Sequence, residues 1–367
     1  MDNLLRYQIG LTLINGIGPI NARKLIAYLG SVEAVFTEKK EHLKLIPGIG
    51  EVLANEIANQ NVLERADKEI EFIQKHRIVT HYFTDSSYPY RLKECEDAPI
   101  LIYSTGNCDF NSGHFLAIVG TRKITPYGKD LCNDLVKTLA ETQHNLTIVS
   151  GLAYGSDICA HRAALDNQVP TIGVVAHGLD RIYPSAHTSI AKKMLEKGAI
   201  LTEYLSGTSP DAPNFVKRNR IVAGLCDATI ILESPKRGGS LITAQLANDY
   251  NRDVFAFPGR PNDLYSEGCN QLIRTNRAAL ITCADDLIDF MGWDASKQNK
   301  TQQQILFDDL TPEEQRIIVA LSKSESVYIN TLAKETGIAL QKLLALLVQL
   351  EFKGLIKALP GSMYQQA

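Results

Sequence analysis

The chain lacks the marks of a secreted, membrane or metal-binding protein. None of its seven cysteines forms a C-x-x-C pair, which argues against a zinc ribbon and favours reduced thiols in a cytosol. No apolar run approaches the length of a membrane span, and the N-terminus lacks the basic and apolar segments of a secretory signal. No set of acidic residues or histidines has metal-ligand spacing. We therefore predict a soluble, cytoplasmic protein with no metal site and no membrane partner.

An excess of positive charge is also missing. The formal net charge is -3 over 367 residues, so the chain is not a globally basic nucleic-acid coat, and any affinity for phosphate must come from a local cluster. The sequence has no G-x-G-x-x-G turn followed by a ribose-binding acid, and no Walker A loop. These absences argue against NAD and ordinary ATPase chemistry, and we predict no cofactor.

The chain does contain zones that differ in pattern. Two similar phrases near the start, LINGIG at 13–18 and LIPGIG at 45–50, each place a glycine turn before a helix. The middle alternates strand and helix, a polar stretch follows, and the end reads as a winged helix. The predicted domains are a helical-hairpin domain at 1–80, a Rossmann-like domain at 81–292, a linker at 293–309 and a winged helix at 310–367.

The central zone predicts a doubly wound, mostly parallel α/β sheet. Its apolar runs are continuous rather than alternating, as expected for strands covered on both faces. The predicted strands are 115–119, 145–149, 170–175, 199–203, 228–232, 253–257 and 278–282. The predicted helices lie near 126–142, 157–166, 185–197, 214–226, 240–250 and 267–275.

The two end zones give weaker functional signals. The glycine turns can hold a DNA phosphate on backbone amides, but such turns also simply pack helices, and we favour packing. At the other end, Thr311 to Glu314 form a capping box, and Pro360 with Gly361 form the turn of a wing. The helix at 339–352 is mostly apolar, so it favours packing or a protein contact over reading of a DNA groove.

Several glycine-containing loops follow the predicted strands. Ligands of such sheets bind beyond the carboxyl ends of the strands, so these loops should share one rim. Glycine lets a ligand approach the backbone, and helix N-termini offer free N–H groups to anions. Turns of this fold also need glycine for purely structural reasons. For the loops at 120–123 and 234–240, which add Arg or Lys, we favour anion binding.

The segment NFVKRNRIVAGL at 214–225 places an arginine on an apolar helix face. Arg218 shares that inner side with Val222, whereas Arg220 is predicted to point away. A buried arginine is costly unless it meets an anion. The anion is either a carboxylate in a structural ion pair, such as Glu233 or Glu203, or a bound phosphate at the rim.

A hydrolase is a further possibility, since Ser150, Asp157 and His161 come together in the sequence. Asp157 and His161 are one helical turn apart. However, Ser150 does not lie in a G-x-S-x-G elbow, and spacing alone does not make a triad. We predict that His161 is a packed helix residue and that the chain has no catalytic residues.

The central domain resembles the DNA-processing protein A (DprA, also called Smf) family. Six ordered phrases carry the resemblance, and four positions (Ser156, His187, Val216 and Gly238) depart from the usual residues. The phrases are VGTR with YG at 119–128, SGLAYG with Asp157, Ala160 and His161, GLD with YP at 178–184, RNRIVAGL at 218–225, GSLITA at 239–244, and FPG at 257–259 with GCN and LI at 268–273.

The resemblance implies a non-enzymatic role. Such proteins bind single-stranded DNA, protect incoming DNA during natural transformation, load the RecA recombinase onto it and act as homodimers through the central domain. Arg122 and the segment 217–220 lie in the family's basic DNA pocket. The helical-hairpin (SAM-like) domain and the winged helix also fit the family's layout.

We therefore predict a site for single-stranded DNA on the loops at one rim. Bases are expected to stack on or near Phe215 or Tyr154. The predicted DNA-binding residues are Gly120, Thr121, Arg122, Lys123, Ser150, Gly151, Phe215, Lys217, Arg218, Asn219, Arg220, Lys236, Arg237, Gly238, Gly239 and Ser240. Two alternatives stay open: a phosphoribohydrolase-like enzyme that uses Glu233 on nucleotides, and an adaptor whose basic pocket serves self-association.

Overall fold

The computed structural model describes residues 3–143, 145–293, 310–321, 327–352, 355–359 and 363–366. The chain forms two compact units, Met1–Phe290 and Met291–Ala367. The first unit contains both of the first two predicted domains, whose bounds stay predictions. Almost all of the predicted linker and the predicted wing turn at Pro360 and Gly361 lie outside the described residues.

Helices begin the first unit and carry the repeated glycine turns. They are α1 (Asn3–Leu13), α2 (Pro19–Leu29), α3 (Val32–Thr37), α4 (Lys40–Leu43), α5 (Glu51–Ala58) and α6 (Leu63–His76). Gly18 precedes α2 and Gly50 precedes α5 as the N-cap residue. Gly16 and Gly48 have φ of 77° and 89°, a region that glycine enters without steric cost. The glycine turns are thus confirmed as helix starts.

The apolar face of α6 joins these helices into one core. Ala66, Ile70 and Ile73 are buried, and their spacing of four and three residues places them on one side of the helix. The same helix carries Glu69, which is 2% exposed. Its carboxylate accepts hydrogen bonds from the backbone N–H and the hydroxyl of Ser206, at 2.9 and 2.6 Å. This buried contact fixes the helical region to the α/β region.

The α/β region has a nine-stranded sheet within the described residues. Its order is β1-β2-β6-β5-β4-β3-β7-β8-β9, and β3 to β9 pair in parallel. The strands are β1 (Val79–Tyr82), β2 (Leu101–Gly106), β3 (His114–Val119), β4 (Leu146–Ser150), β5 (Thr171–Val174), β6 (Ala199–Thr202), β7 (Ala228–Ile231), β8 (Asp253–Ala256) and β9 (Ala279–Leu280). The predicted doubly wound sheet is confirmed, with its order reversing between β3 and β7.

Strands β1 and β2 were not predicted from the sequence. They form an antiparallel edge, with Thr80 opposite Tyr103 and Tyr103 opposite Thr202. In β1 burial rises only toward its end, so the strand has no continuous apolar run. The pattern used to find parallel strands therefore did not apply to it.

Helices on both faces cover the sheet and bury its apolar strands. They are α7 (Tyr90–Lys93), α8 (Pro126–Thr142), α9 (Ser156–Asp166), α10 (Thr188–Met194), α11 (Ala212–Gly224), α12 (Gly239–Asp249), α13 (Glu267–Arg274) and α14 (Ala284–Met291). Thr125 caps α8 as predicted, since its hydroxyl accepts the N–H of Gly128 at 3.1 Å. None of the described helices is long and apolar enough to cross a membrane.

The second unit contains the predicted winged helix. Its elements are α15 (Pro312–Leu321), β10 (Val327–Tyr328), α16 (Ile329–Thr336), α17 (Leu340–Phe352), β11 (Ile356–Leu359) and β12 (Met363–Gln366). The predicted capping box is confirmed, since the Thr311 N–H donates to the Glu314 carboxylate at 2.8 Å and the Glu314 N–H donates to the Thr311 hydroxyl at 3.3 Å. Leu332, Leu343 and Leu347 are fully buried in its core.

Candidate functional site

A cleft of about 600 Å³, here called the main cleft, opens beyond the carboxyl ends of β3, β4 and β7. Its walls come from the loops that follow those strands and from the first turns of α11 and α12. Nine of the sixteen predicted DNA-binding residues line it: Gly120, Thr121, Arg122, Phe215, Arg218, Asn219, Gly238, Gly239 and Ser240. The rim predicted from the positions of the loops therefore exists as one concave surface.

Arg218 forms the charged floor of the main cleft. It lies on the inner side of α11, as predicted, and is 4% exposed. A Cβ at Gly151 would stand 1.7 Å from its Nη1, so only glycine leaves room for the guanidinium. Among the described residues no atom accepts a hydrogen bond from its Nε. This Nε is itself buried, while the side chain as a whole lines the cleft.

Asp157 supplies the opposite charge next to Arg218. Its carboxylate accepts the N–H of Gly151 at 3.1 Å and the N–H of Ala153 at 3.3 Å. Burial raises the pKa of Asp157, while the charge of Arg218 and these hydrogen bonds act to lower it. Burial likewise lowers the pKa of Arg218, which an arginine tolerates while remaining protonated. The ion-pair partners suggested from sequence, Glu203 and Glu233, are wrong for Arg218.

Aromatic rings form the side of the main cleft next to Arg122. The exposed guanidinium of Arg122 lies over the ring of Phe215, with 5.6 Å from its carbon to the ring centroid. Phe215 in turn lies 5.8 Å from the ring of Tyr183, and Tyr154 packs edge-on against His187. Tyr154 and Tyr183 are 52% and 47% exposed, so their rings are free to stack. Tyr183, which follows β5 on the same rim, was not among the predicted DNA-binding residues.

Two glycine loops provide the backbone part of the wall. A Cβ at Gly120 would meet the Ser156 hydroxyl at 2.4 Å, so the loop after β3 can pack this closely only with glycine. The helix α12 begins at Gly239 with Gly238 as N-cap, and no side chain of the described residues caps it. The first N–H groups of α12 are therefore available to an anion in the cleft.

Arg220 corrects the prediction for the segment at 217–220. It is buried rather than pointing to solvent, and its guanidinium pairs with Glu203 and donates to the carbonyl of Asp97 at 2.6 Å. Arg218 and Arg220 are therefore both buried, although they lie on different sides of α11. Lys217 is exposed, but its ammonium lies 3.7 Å from Glu203 and outside the main cleft. Neither cation lines the main cleft, and the DNA contacts predicted for Lys217 and Arg220 stay predictions.

Ser150 and Gly151 are buried and do not line the main cleft. The Ser150 hydroxyl donates to the carbonyl of Ile118 at 2.6 Å and has no exposed surface. The DNA contact predicted for Ser150 stays a prediction, and Gly151 leaves the space that the Arg218 guanidinium occupies. His161 is fully buried as predicted, with Nδ1 2.7 Å from the Thr171 hydroxyl. Burial lowers the pKa of His161 to about 3, so the ring is neutral.

Glu233, the acid of the enzyme alternative, is used within the fold. Its carboxylate accepts the N–H and the hydroxyl of Thr125 at 2.8 and 2.5 Å. A Cβ at Gly128 would stand 2.5 Å from the same carboxylate, so Glu233 lies against the start of α8. It is 3% exposed and does not line the main cleft. Glu233 therefore cannot reach a ligand in the main cleft as a base or a nucleophile.

The remaining predicted cations lie at the edge of the main cleft. Lys123 is exposed on the loop between β3 and α8, where its N–H donates to the Thr121 hydroxyl at 3.1 Å. Lys236 and Arg237 are exposed on the loop between β7 and α12. These side chains strengthen the positive potential around the cleft without forming its wall.

Two family models match this chain. Residues 79–292 match DNA recombination-mediator protein A, and residues 306–362 match the DprA winged helix domain. Protein Smf of Synechocystis is 30% identical, covering 98% of this chain and 98% of that protein. DNA processing protein DprA of Streptococcus pneumoniae is 40% identical over 56% of this chain and 71% of that protein.

Solved structures share the fold. That of the Streptococcus pneumoniae DNA processing protein A superposes with a TM-score of 0.67 at 33% identity, covering 77% of this chain and 97% of that chain. The DNA processing protein A of Helicobacter pylori, studied for its single-stranded DNA binding mode, gives a TM-score of 0.54 at 32% identity, covering 59% and 97%.

Proposed function

The chain belongs to the DNA recombination-mediator protein A family, and from this premise we propose that it binds single-stranded DNA in the main cleft. The observation that carries the proposal is the buried Arg218, whose Nε has no acceptor among the described residues and whose side chain lines an open cleft. An arginine at the floor of an open cleft suits a phosphate. The single-stranded DNA binding of the Helicobacter pylori relative supports the same ligand.

The rings beside the arginines favour a nucleic acid over a free anion. Arg122, Phe215, Tyr154 and Tyr183 combine a cation with exposed aromatic faces in one cleft. Proteins that bind single strands without sequence preference use this combination, because every base has a face that stacks. We propose that phosphates bind at Arg122, Arg218 and the start of α12, and that bases stack on the rings.

Replacing Arg122 by alanine tests the function with the least disturbance to the fold. The side chain is exposed, so the variant should fold normally. Loss of a charged hydrogen bond of about 1.5–3 kcal/mol should weaken binding of oligo-dT by about 10- to 150-fold. Because one phosphate contact disappears, the slope of log K against log salt should also fall in magnitude by about 0.7. Fluorescence anisotropy over a salt series measures both quantities.

The matched control is Lys137→Ala, which removes an exposed cation of the same charge from α8 outside the cleft. Its affinity and salt slope should equal those of the unchanged protein. Equal losses in both variants would mean that binding is diffuse, and an unchanged Arg122→Ala would contradict the site.

The finer functions proposed from the family are protection of incoming DNA during natural transformation and loading of the RecA recombinase. We propose a homodimer, a cytoplasmic location and no enzymatic activity. RecA-dependent strand exchange on DNA covered by a single-strand binding protein tests loading, and light scattering of the purified chain tests the dimer. Release of free base from nucleoside monophosphates would instead support the phosphoribohydrolase alternative, whose acid Glu233 is engaged by Thr125.

A further inference from the structure

A second cleft, here called the outer cleft, lies beside the main cleft. It has a volume of about 830 Å³ and opens beyond the start of α8 and the loop after β8. Its surface includes Tyr127, Arg260, Asp263 and Leu264. None of the predicted DNA-binding residues lines it, so sequence analysis assigned it no role.

The two clefts share a dividing ridge. The segment from the end of β3 to the first turn of α8 lines the main cleft at 119–122 and the outer cleft at 125–127. The segment after β7 lines the outer cleft with Glu233 and the main cleft with Pro235. Lys123 is the exposed cation between these two stretches. A chain that leaves the main cleft over the ridge therefore passes a lysine before it reaches the outer cleft.

The outer cleft, like the main cleft, combines an exposed aromatic ring with a cation. The ring of Tyr127 is 50% exposed, and its hydroxyl donates to the carbonyl of Pro258 at 3.2 Å, which holds the ring at the edge of the opening. Arg260 is an exposed cation on the facing loop, and Leu264 offers a side chain that is 59% exposed. A stacking ring, a cation and an apolar surface are the requirements of one more nucleotide.

The acidic groups of the outer cleft are compatible with this ligand. The Glu233 carboxylate is buried and accepts two hydrogen bonds from Thr125, so little of its charge faces the opening. Asp263 is exposed at the other side. A carboxylate there can accept a hydrogen bond from the exocyclic amine of a base, as carboxylates do in groove contacts. Phosphate is then expected on the side of Lys123 and Arg260.

We propose that the outer cleft binds the continuation of the same single strand that occupies the main cleft, with the backbone crossing the ridge at Lys123. This inference rests on the proposed function, because it needs a strand in the main cleft. The strand spans both clefts, with one stacking position at Phe215 and another at Tyr127. A short oligonucleotide fills the main cleft alone, and only a longer one gains the outer contacts.

Binding of two oligo-dT probes to the full chain tests the proposal. The probes have about 4 and about 16 nucleotides, the range of sites seen for single-strand binding folds. Arg260→Ala should weaken binding of the longer probe about tenfold and leave the shorter one unchanged, because Arg260 lines the outer cleft and not the main cleft. The salt slope for the longer probe should fall in magnitude by about 0.7, since one phosphate contact disappears. Tyr127→Ala should also weaken only the longer probe, and Tyr127→Phe, which keeps the ring but loses the bond to Pro258, should weaken it less.

A control variant and two contrary results distinguish the outer cleft from the main cleft. Lys137→Ala, a cation on α8 about 15 Å along the helix from Tyr127, should change neither probe. An unchanged affinity of Arg260→Ala for the longer probe, or equal losses on both probes, would overturn the outer cleft while leaving the main cleft intact. No binding of either probe by the unchanged protein would overturn the proposed function and the inference with it.

A second measurement does not depend on how the variants fold. The longer probe is prepared with bromouracil in place of thymine and is irradiated on the unchanged protein. Cross-linked peptides that contain Tyr127 or Tyr265 support the proposal, since both residues line the outer cleft. Cross-links confined to Tyr154, Tyr183 or Phe215 would place the whole strand in the main cleft and contradict it.

Discussion

Replacing Arg218 by alanine is expected to lower the affinity for single-stranded DNA by about 100-fold and to destabilise the fold by about 3 kcal/mol. The first effect follows because the guanidinium floor of the main cleft is removed. The second follows because the buried Asp157 loses its opposite charge. Anisotropy with oligo-dT measures the affinity, and urea unfolding measures the stability.

A double variant separates these two effects. In Asp157→Asn with Arg218→Gln, the buried site has no net charge, and an amide oxygen at position 157 can still accept a backbone N–H from Gly151 or Ala153. We expect most of the stability to return while the DNA affinity stays low. Recovery of both would show that Arg218 only supports the fold. Normal affinity in Arg218→Ala would contradict the proposed site directly.

The second large effect is expected from Gly151→Ala, a change that adds a single methyl group. The new Cβ would stand 1.7 Å from Nη1 and 2.4 Å from the guanidinium carbon of Arg218. Since these atoms cannot overlap, the guanidinium must leave its position. We expect the DNA affinity to fall nearly as far as in Arg218→Ala, with a loss of stability of about 1–3 kcal/mol from overpacking.

The mechanism of the Gly151 effect can be tested by coupling. When position 218 carries glutamine, the shorter side chain leaves more room, so Gly151→Ala should cost less stability there than in the unchanged protein. Gly50→Ala is the matched control, because a Cβ there meets open space and lies outside the cleft. Additive losses in the double variant would mean that Gly151 and Arg218 do not interact.

The sheet and the rim could be predicted from the sequence. The parallel strands β3, β4 and β5 are short runs of almost entirely buried residues, and strands of this kind are covered on both faces. Because the carboxyl ends of parallel strands meet at one edge, the loops at 120–123 and 234–240 had to share a rim. Their shared position requires only strand order and direction, and local sequence patterns contain enough information for both.

Only the tertiary structure decided which charged groups are free at that rim. Arg218 and Arg220 lie two residues apart on α11, yet one lines the main cleft and the other is paired with Glu203 and Asp97. The partner at Asp97 is 123 residues away in the chain. Glu233 is likewise occupied by Thr125, 108 residues distant. Folding brings these partners together from distant positions, so no local pattern reveals them. Sequence alone determined where a phosphate site could lie, and long-range packing decided which side chains remain available to bind there.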